Sequence, residues 1–214
     1  MPSSSENIQP TRGELLKLKK RIELAERGHE LLREKRDALV TEFFDNLDIM
    51  KDKKEKVDEE MEEAFKALIE AKVDSGELNL ERIGDASKRD IDVDINSRNI
   101  MGVRVPLMEA EDVERDITER GYDLQETATS IDEASKKFEE ALKAILELAE
   151  TEEIVKSLAR EIEKTKRRVN SLEHVLIPRL ESNREYIEMR LEEQEREDKF
   201  RMKRVKQKIE SQQS

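Results

Sequence analysis

In the sequence LLKLKKRIELAERGHELLREKRDAL (Leu15–Leu39) apolar residues recur at alternating steps of three and four. That spacing is the seam of a coiled-coil helix. Thr11 and Glu14 precede it in the T-x-x-E pattern of a capping box, in which two side chains satisfy two backbone N–H groups of the first turn. A helix is therefore predicted to begin at Thr11.

The seam continues beyond this stretch and returns in the second half of the chain. From Leu15 it runs to Met50 and resumes, after a shift in phase, between Val57 and Ala71. A second series steps by four and three from Ala134 to Ile187, by way of Ile145, Glu152, Ala159 and Lys166. The residues expected to pack along the seam are Leu15, Leu18, Ile22, Leu32, Leu39, Val155, Ile162, Val169, Leu176, Leu180 and Ile187.

Neither seam can be buried by one helix alone, so the two helices are expected to pack against each other. The predicted fold is all-α: a long antiparallel two-helix coiled coil of residues 11–72 and 130–208. Ser130 and Glu133 offer a second capping box at the head of the later helix. Residues 1–10 are expected to be a flexible extension, 73–129 a connecting segment and 209–214 a tail.

The connecting segment carries the pattern of a β-hairpin at about residues 90–105. Apolar and polar residues alternate from Asp90 to Asn96, as in a half-buried strand, and a second short strand follows from Ile100. Polar residues 97–99 are the expected turn, and Gly102 is a candidate bulge. The apolar hairpin residues are Ile91, Val93, Ile95, Ile100, Val103 and Val105. A short helix is predicted from Leu107 to Arg120.

Pro178 lies inside the second helical pattern. It removes one backbone hydrogen bond and crowds the carbonyl of His174, which costs about 3 kcal/mol in a helix interior. The apolar pattern continues in phase through Leu180 and Ile187, so a bend is expected at Pro178. A break into two separate helices is the alternative.

The charge of the chain is unevenly distributed. The net charge is −12, but residues 12–39 carry +3 and residues 156–208 carry +5, whereas residues 40–155 carry −18. Such asymmetry predicts different partners for the ends and the middle. The basic run from Lys199 to Lys208 contains one aromatic residue, Phe200, so an acidic protein surface is a better match for it than a nucleic acid.

Few residues could perform chemistry. Charged residues make up 44% of the chain and mean hydropathy is −0.88, and the chain has no cysteine, as is usual in a reducing compartment. No glycine-rich phosphate loop, nucleophile elbow or zinc motif occurs. His29 and His174 are the only histidines, and they are expected to be structural. We therefore predict no catalytic, cofactor or metal site, no nucleic-acid binding and no membrane insertion.

Three blocks of the sequence carry a family resemblance: Pro10–Leu39, Ile95–Pro106 and Leu172–Lys206. They closely resemble the D subunit of archaeal A-type and vacuolar-type ATP synthases and ATPases. The resemblance implies a central rotor shaft that couples ion translocation to ATP synthesis or hydrolysis without an active site of its own.

The resemblance also implies partners and a location. The paired terminal helices would enter the hexameric head and contact its catalytic and regulatory subunits. The hairpin end would contact the small F subunit of the stalk and the socket subunit above the membrane ring, on the cytoplasmic side of the cell membrane as a peripheral component. The basic residues that we expect to contact the head are Arg12, Lys19, Lys20, Arg27, Arg201 and Lys203.

Two other functions fit parts of the pattern. A prefoldin-like chaperone also joins two coiled-coil helices through β-hairpins, but such chains are usually shorter and lack a block like Leu172–Lys206. An ATP-hydrolysing enzyme has no motif to support it. Protection of client proteins or ATP turnover by the isolated chain would favour these alternatives.

Overall fold

The computed structural model describes residues 9–88, 91–110, 113 and 128–213. It is dominated by long helices, with one small antiparallel hairpin between them, which confirms the predicted all-α class. The elements in chain order are helix α1 (Arg12–Ser75), helix α2 (Glu77–Ala86), strand β1 (Val93–Ile100), strand β2 (Val103–Ala110), helix α3 (Thr129–Ser171), a π-helical turn (Leu172–Leu176) and helix α4 (Ile177–Gln213).

The chain divides into two compact units. Of the described residues, 9–37 and 163–213 belong to the terminal unit, and those between 38 and 162 belong to the central unit. In the terminal unit Leu18 and Ile22 of α1 pack against Ile187 of α4. Leu15, Leu180 and Leu191 complete this cluster.

The core of the central unit begins with α1 and α3. Leu39 of α1 and Leu158 of α3 are fully buried. Val103 and Val105 of β2 pack against them, so the hairpin covers the helix pair with one face. A small hairpin is marginal by itself, and this apolar contact is what stabilises it.

A second cluster in the central unit surrounds α2. Ala71 of α1, Ile83 of α2 and Ile131 of α3 are buried together with Ala134. The chain passes from α1 to α2 through Gly76, whose φ of 78° lies in the left-handed region where glycine is unstrained. Helix α2 lies in the segment that the sequence predicts as a connection. The sequence does not predict this helix, because ten residues carry too short a periodic signal to be recognised.

The hairpin turn lies at residues 101–102 and not at the predicted residues 97–99. Ile100 pairs with Val103, so Met101 and Gly102 form a two-residue turn, with φ values of 51° and 85°. The polar residues 97–99 belong to β1 instead. A turn of this kind requires positive φ at both central residues, and glycine provides it without strain. Gly102 is therefore a turn residue, not a bulge.

Strand β2 extends past the expected end of the hairpin. Pro106 pairs with Ser97, and the ladder continues to Ala110 opposite Val93. The predicted helix from Leu107 therefore cannot begin there. In a two-stranded sheet each strand has an unpaired edge, so a proline without an N–H group is tolerated. Residues 111–112 and 114–120 of that predicted helix lie outside the described residues, and Ile91 precedes β1.

The predicted capping boxes have different outcomes. The Glu14 N–H donates to Thr11 Oγ1 at 3.2 Å, as predicted. The Glu14 carboxylate instead accepts from Lys17 Nζ at 2.7 Å, because a cation competes for it. The second box is wrong: α3 begins at Thr129, and the buried Ser130 Oγ has no hydrogen-bond partner in the described part of the chain.

Along α3, every second residue of the observed seam lies one position before the residue that the sequence predicts. Buried residues occur at Ala144, Thr151, Leu158 and Thr165, each one residue before the predicted Ile145, Glu152, Ala159 and Lys166. Ala159 and Lys166 are exposed. Two of the four buried residues are threonines, which a search for apolar side chains passes over.

The helical conformation continues through Pro178 by means of the π-helical turn. The Ile177 N–H donates to the Leu172 carbonyl, five residues back. Such π turns are local irregularities inside helices, and proline just beyond this one supplies no N–H group. The alternative of a break into two separate helices is thus excluded, since α3, the turn and α4 follow one another without a gap.

Candidate partner-contact surface of the terminal helices

Two of the basic residues expected to contact a partner are engaged across the terminal helix pair. Arg12 Nη2 of α1 lies 2.6 Å from Glu195 Oε1 of α4. Lys19 Nζ lies 2.8 Å from Glu188 Oε1. Because residue numbers rise along α1 as they fall along α4, the two helices run antiparallel in this unit.

These pairs also set the electrostatics of the surface. The hydrogen bond from Lys19 holds the pKa of the Glu188 carboxyl below its ordinary value of 4.5, and Arg184 acts in the same direction. The Lys19 side chain is 53% exposed and that of Glu188 is 38% exposed, so water screens the pair and it contributes little to stability. Their main effect is to leave the positive charges of Arg12 and Lys19 partly neutralised.

Two more of the six basic residues pair within their own helices. Arg27 Nη2 lies 2.6 Å from Glu23 Oε1, one turn earlier in α1. Arg201 Nη2 lies 3.9 Å from Glu197 Oε2 in α4. Pairs at this spacing are weak on an exposed helix, so both cations could still contact an anionic partner.

Lys20 and Lys203 differ from the other four. Both are exposed, and neither has an ion pair within residues 9–88, 91–110, 113 and 128–213. They are the predicted contact residues whose charge the described chain leaves uncompensated. A substitution at either one changes the surface without breaking a pair inside the molecule.

Helix α4 extends beyond the first residue of α1. Arg12 begins α1 and pairs with Glu195, whereas α4 continues to Gln213. We call residues 196–209 the α4 overhang. Met202 is 72% exposed, and Val205 and Ile209 are also exposed. These three residues are spaced by three and four, as residues of a helical apolar stripe are, but α1 begins only at Arg12.

The α4 overhang combines apolar and basic side chains. Phe200 is 66% exposed, and the Arg204 guanidinium carbon lies 6.0 Å from its ring centroid. A shallow groove on this surface is lined by Arg196, Lys199, Phe200, Met202, Lys203 and Lys206. Such a surface is suited to a partner that presents apolar groups beside carboxylates.

The predicted seam residues have different exposures. Leu18, Ile22, Leu39, Val155, Val169 and Ile187 are buried, and Leu15, Leu32, Ile162 and Leu180 are half-buried. Leu176, which lies in the π-helical turn, is 41% exposed. Among the hairpin residues Ile95 is exposed, whereas Val103 and Val105 are buried.

The two histidines are in the terminal unit. His29 is half-buried, with Nε2 3.6 Å from Glu173 Oε2, and His174 is exposed. No group of three or more metal-ligating side chains occurs among the described residues. In the same part of the chain, none of the helices is long and apolar enough to cross a membrane.

Comparisons with known proteins show to which family the chain belongs. The family model for the D subunit of ATP synthase matches residues 14–207. The D subunit of the A-type ATP synthase of Pyrococcus horikoshii is 51% identical over 207 residues, which cover 97% of each chain. The corresponding D subunits of Methanobrevibacter smithii and Methanopyrus kandleri are each 50% identical, covering 96% of this chain and 89% and 88% of their own. The chain therefore belongs to the family of ATP synthase D subunits.

Proposed function

We propose that this chain is the non-catalytic central rotor shaft of a rotary ATP synthase, transmitting torque between ion translocation and the catalytic head. The observation that supports this role best is the pairing of α1 with α4 in the terminal unit. Packing of Leu18 and Ile22 against Ile187 resists separation of the two helices. The weaker ion pairs of Arg12 and Lys19 connect the same two helices. Two helices that cannot twist independently make a stiff rod.

The head end of the shaft is assigned to the terminal unit. Its basic contact residues and the exposed apolar side chains of the α4 overhang suit the catalytic and regulatory subunits of a hexameric head. Arg12 and Lys19 already have intramolecular partners, so Lys20 and Lys203 are the first candidates for direct contact. Arg27 and Arg201 come next, since their own pairs lie within one helix.

The acidic middle of the chain is assigned to the other stalk components. Residues 40–155 carry a net charge of −18, and this part includes the hairpin and α2. The small F subunit of the stalk and the socket subunit above the membrane ring are the proposed partners. The chain would be peripheral, on the cytoplasmic side of the cell membrane, and held there by these proteins.

A rotation assay tests the role of shaft. The chain has no cysteine, so Ser97→Cys in the exposed part of β1 gives a single attachment point for a gold bead. In the assembled complex with its head immobilised, ATP should drive the bead in one direction. A bead that stays fixed while the same complex hydrolyses ATP would exclude the shaft role. A bead on one of the head proteins is the stationary control.

A charge-reversal experiment tests the head contact separately. Lys20→Glu with Lys203→Glu should weaken binding of the chain to the isolated head, with a larger loss at low salt, because screening reduces charge contacts. The matched control is Lys54→Glu with Lys56→Glu, two exposed lysines of the central unit. Equal losses in both variants, or none in the first, would contradict this assignment.

A further inference from the structure

Lys53 occupies a seam position of α1 that an apolar residue would normally fill. The steps of three and four that reach Met50 arrive next at Lys53 and then at the buried Val57. The Lys53 side chain is half-buried and reaches across to α3. Its Nζ donates to Thr151 Oγ1 at 2.9 Å and to the Glu147 carbonyl at 3.2 Å.

Thr151 completes this arrangement. It is only 3% exposed, and its hydroxyl donates to the Glu147 carbonyl at 2.9 Å while accepting from Lys53. One acceptor and one hydroxyl, a single turn apart on α3, therefore receive the ammonium group. A charged group taken partly out of water needs such partners.

Asn46 is the other polar residue of this stretch of the seam, and it bonds differently. It is 8% exposed, but its Nδ2 donates to the carbonyl and to the Oε1 of Glu42, at 2.8 and 3.1 Å. Both acceptors belong to α1. The hydrogen bonds of Asn46 would survive any sliding of α3 along α1, whereas those of Lys53 would not.

The sequence of α3 allows Lys53 to make its hydrogen bond to a hydroxyl in one alignment and not in the two neighbouring ones. A slip by one heptad would keep apolar residues facing each other, since the seam repeats every seven residues. It would bring the position of Ala144 or Leu158 opposite Lys53 in place of Thr151. Both side chains are apolar and buried. Either slip would remove the hydroxyl from the ammonium group and leave a charge beside apolar side chains, which is strongly unfavourable.

We propose that Lys53 and Thr151 form a register lock between α1 and α3, which allows one alignment of the helices in the central unit and excludes the heptad slips. Specifying the register is the best-attested role of a polar residue at a single seam position of a coiled coil. The lock is a property of the chain alone and does not depend on the proposed function. In a rotating shaft it would prevent sliding of one helix from absorbing torque.

Spin labels can measure the register directly in the full chain. The absence of native cysteines allows labelling of Glu59→Cys in α1 and Ala159→Cys in α3, both exposed positions of the central unit. Pulsed electron resonance should give one narrow distance distribution. With Lys53→Met added, a second population should appear, displaced along the helix axis by about 10 Å for a seven-residue slip.

Matched variants separate a lock from a general loss of stability. Thr151→Val should also produce the second population, whereas Thr151→Ser, which keeps the hydroxyl, and Asn46→Leu should retain the single distance. A single unchanged distance in both Lys53→Met and Thr151→Val would overturn the proposal, as would equal broadening in Asn46→Leu. If Lys53→Met does not fold, the contrast between Thr151→Val and Thr151→Ser decides the question.

Discussion

Lys137 of α3 joins carboxylates of two helices: its Nζ lies 2.8 Å from Glu63 Oε2 of α1 and 3.2 Å from Glu140 Oε2 of α3. The hydrogen bond from Lys137 lowers the pKa of Glu63, and both carboxylates raise the pKa of Lys137. The Glu63 contribution to stability is present above the ordinary pKa of 4.5 and is lost as pH falls through the lower folded value. The Lys137 contribution is present below 10.5 and is lost as pH rises through its higher folded value.

Replacing Lys137 therefore should change the pH dependence of stability. We expect Lys137→Met to lower the urea midpoint at pH 7 by a small amount, because the pair is partly solvated. The difference from the parent chain should shrink as pH falls below 4.5. Urea unfolding between pH 3 and 8 measures this. Lys136→Met is the control, since the ion pair that Lys136 makes within the described residues is with Glu140, at 4.0 Å on its own helix. Equal effects of the two variants would contradict the cross-helix account.

Thr11 and Ser130 should respond differently to loss of the hydroxyl. Thr11 Oγ1 accepts the Glu14 N–H, so Thr11→Ala should destabilise the start of α1 by about 1 kcal/mol. Ser130 Oγ has no partner among the described residues, so Ser130→Ala should be neutral or stabilising. Hydrogen exchange of first-turn amides, together with urea unfolding, compares the two. A loss at Ser130 as large as at Thr11 would show that the capping argument is wrong.

Met101 is strained in the hairpin turn. Its φ of 51° costs a residue with a long side chain about 1–2 kcal/mol, and asparagine tolerates this conformation better. Met101→Asn creates the Asn-Gly pair that two-residue turns favour, so it should raise the thermal midpoint. Gly102→Ala, with φ at 85°, is the opposite change and should lower it. Calorimetry measures both, and a lower midpoint for Met101→Asn would contradict the turn assignment.

Pro178 follows directly after the first residue of α4. Pro178→Ala restores one N–H donor beside the π-helical turn, and we expect a gain of about 1 kcal/mol if a backbone carbonyl accepts it. Urea unfolding measures the gain, and amide exchange at residue 178 reports whether the bond forms. Arg179→Ala leaves the backbone donors unchanged and is the control. A destabilised Pro178→Ala with an unprotected amide would mean that the turn has other causes.

The long helices could be predicted because their signal is long. Dozens of residues share one period, so a few polar exceptions such as His29 do not obscure it. Which individual residues are buried is harder to predict from the sequence than where the helices lie. The predicted series includes Ile145 in place of the buried Ala144, and its regular steps then fall on Glu152 and Lys166, one residue after the buried Thr151 and Thr165.

Helix caps and turns are harder to predict, because several nearby residues can compete for the same role and the sequence pattern does not show which one takes it. Glu14 matches a capping box, but its carboxylate is taken by Lys17. The polar residues 97–99 resemble a turn, yet Gly102 places the turn where positive φ is least costly. The partner-contact surface is hard to predict for the same reason. The sequence identifies its basic residues, but only the structure shows that Arg12 has an ion pair with Glu195 and that Lys20 has none within the described residues.

The pairing of Arg12 with Glu195 also has a consequence for how the chain folds during synthesis. The two residues are 183 positions apart, and the whole terminal unit is closed by chain made after residue 162. The central unit consists of one continuous segment and can form as soon as that segment has left the ribosome. The first turns of α1, with Leu18 and Ile22 uncovered, must wait for the synthesis of α4, and during that interval the nascent chain is exposed to aggregation.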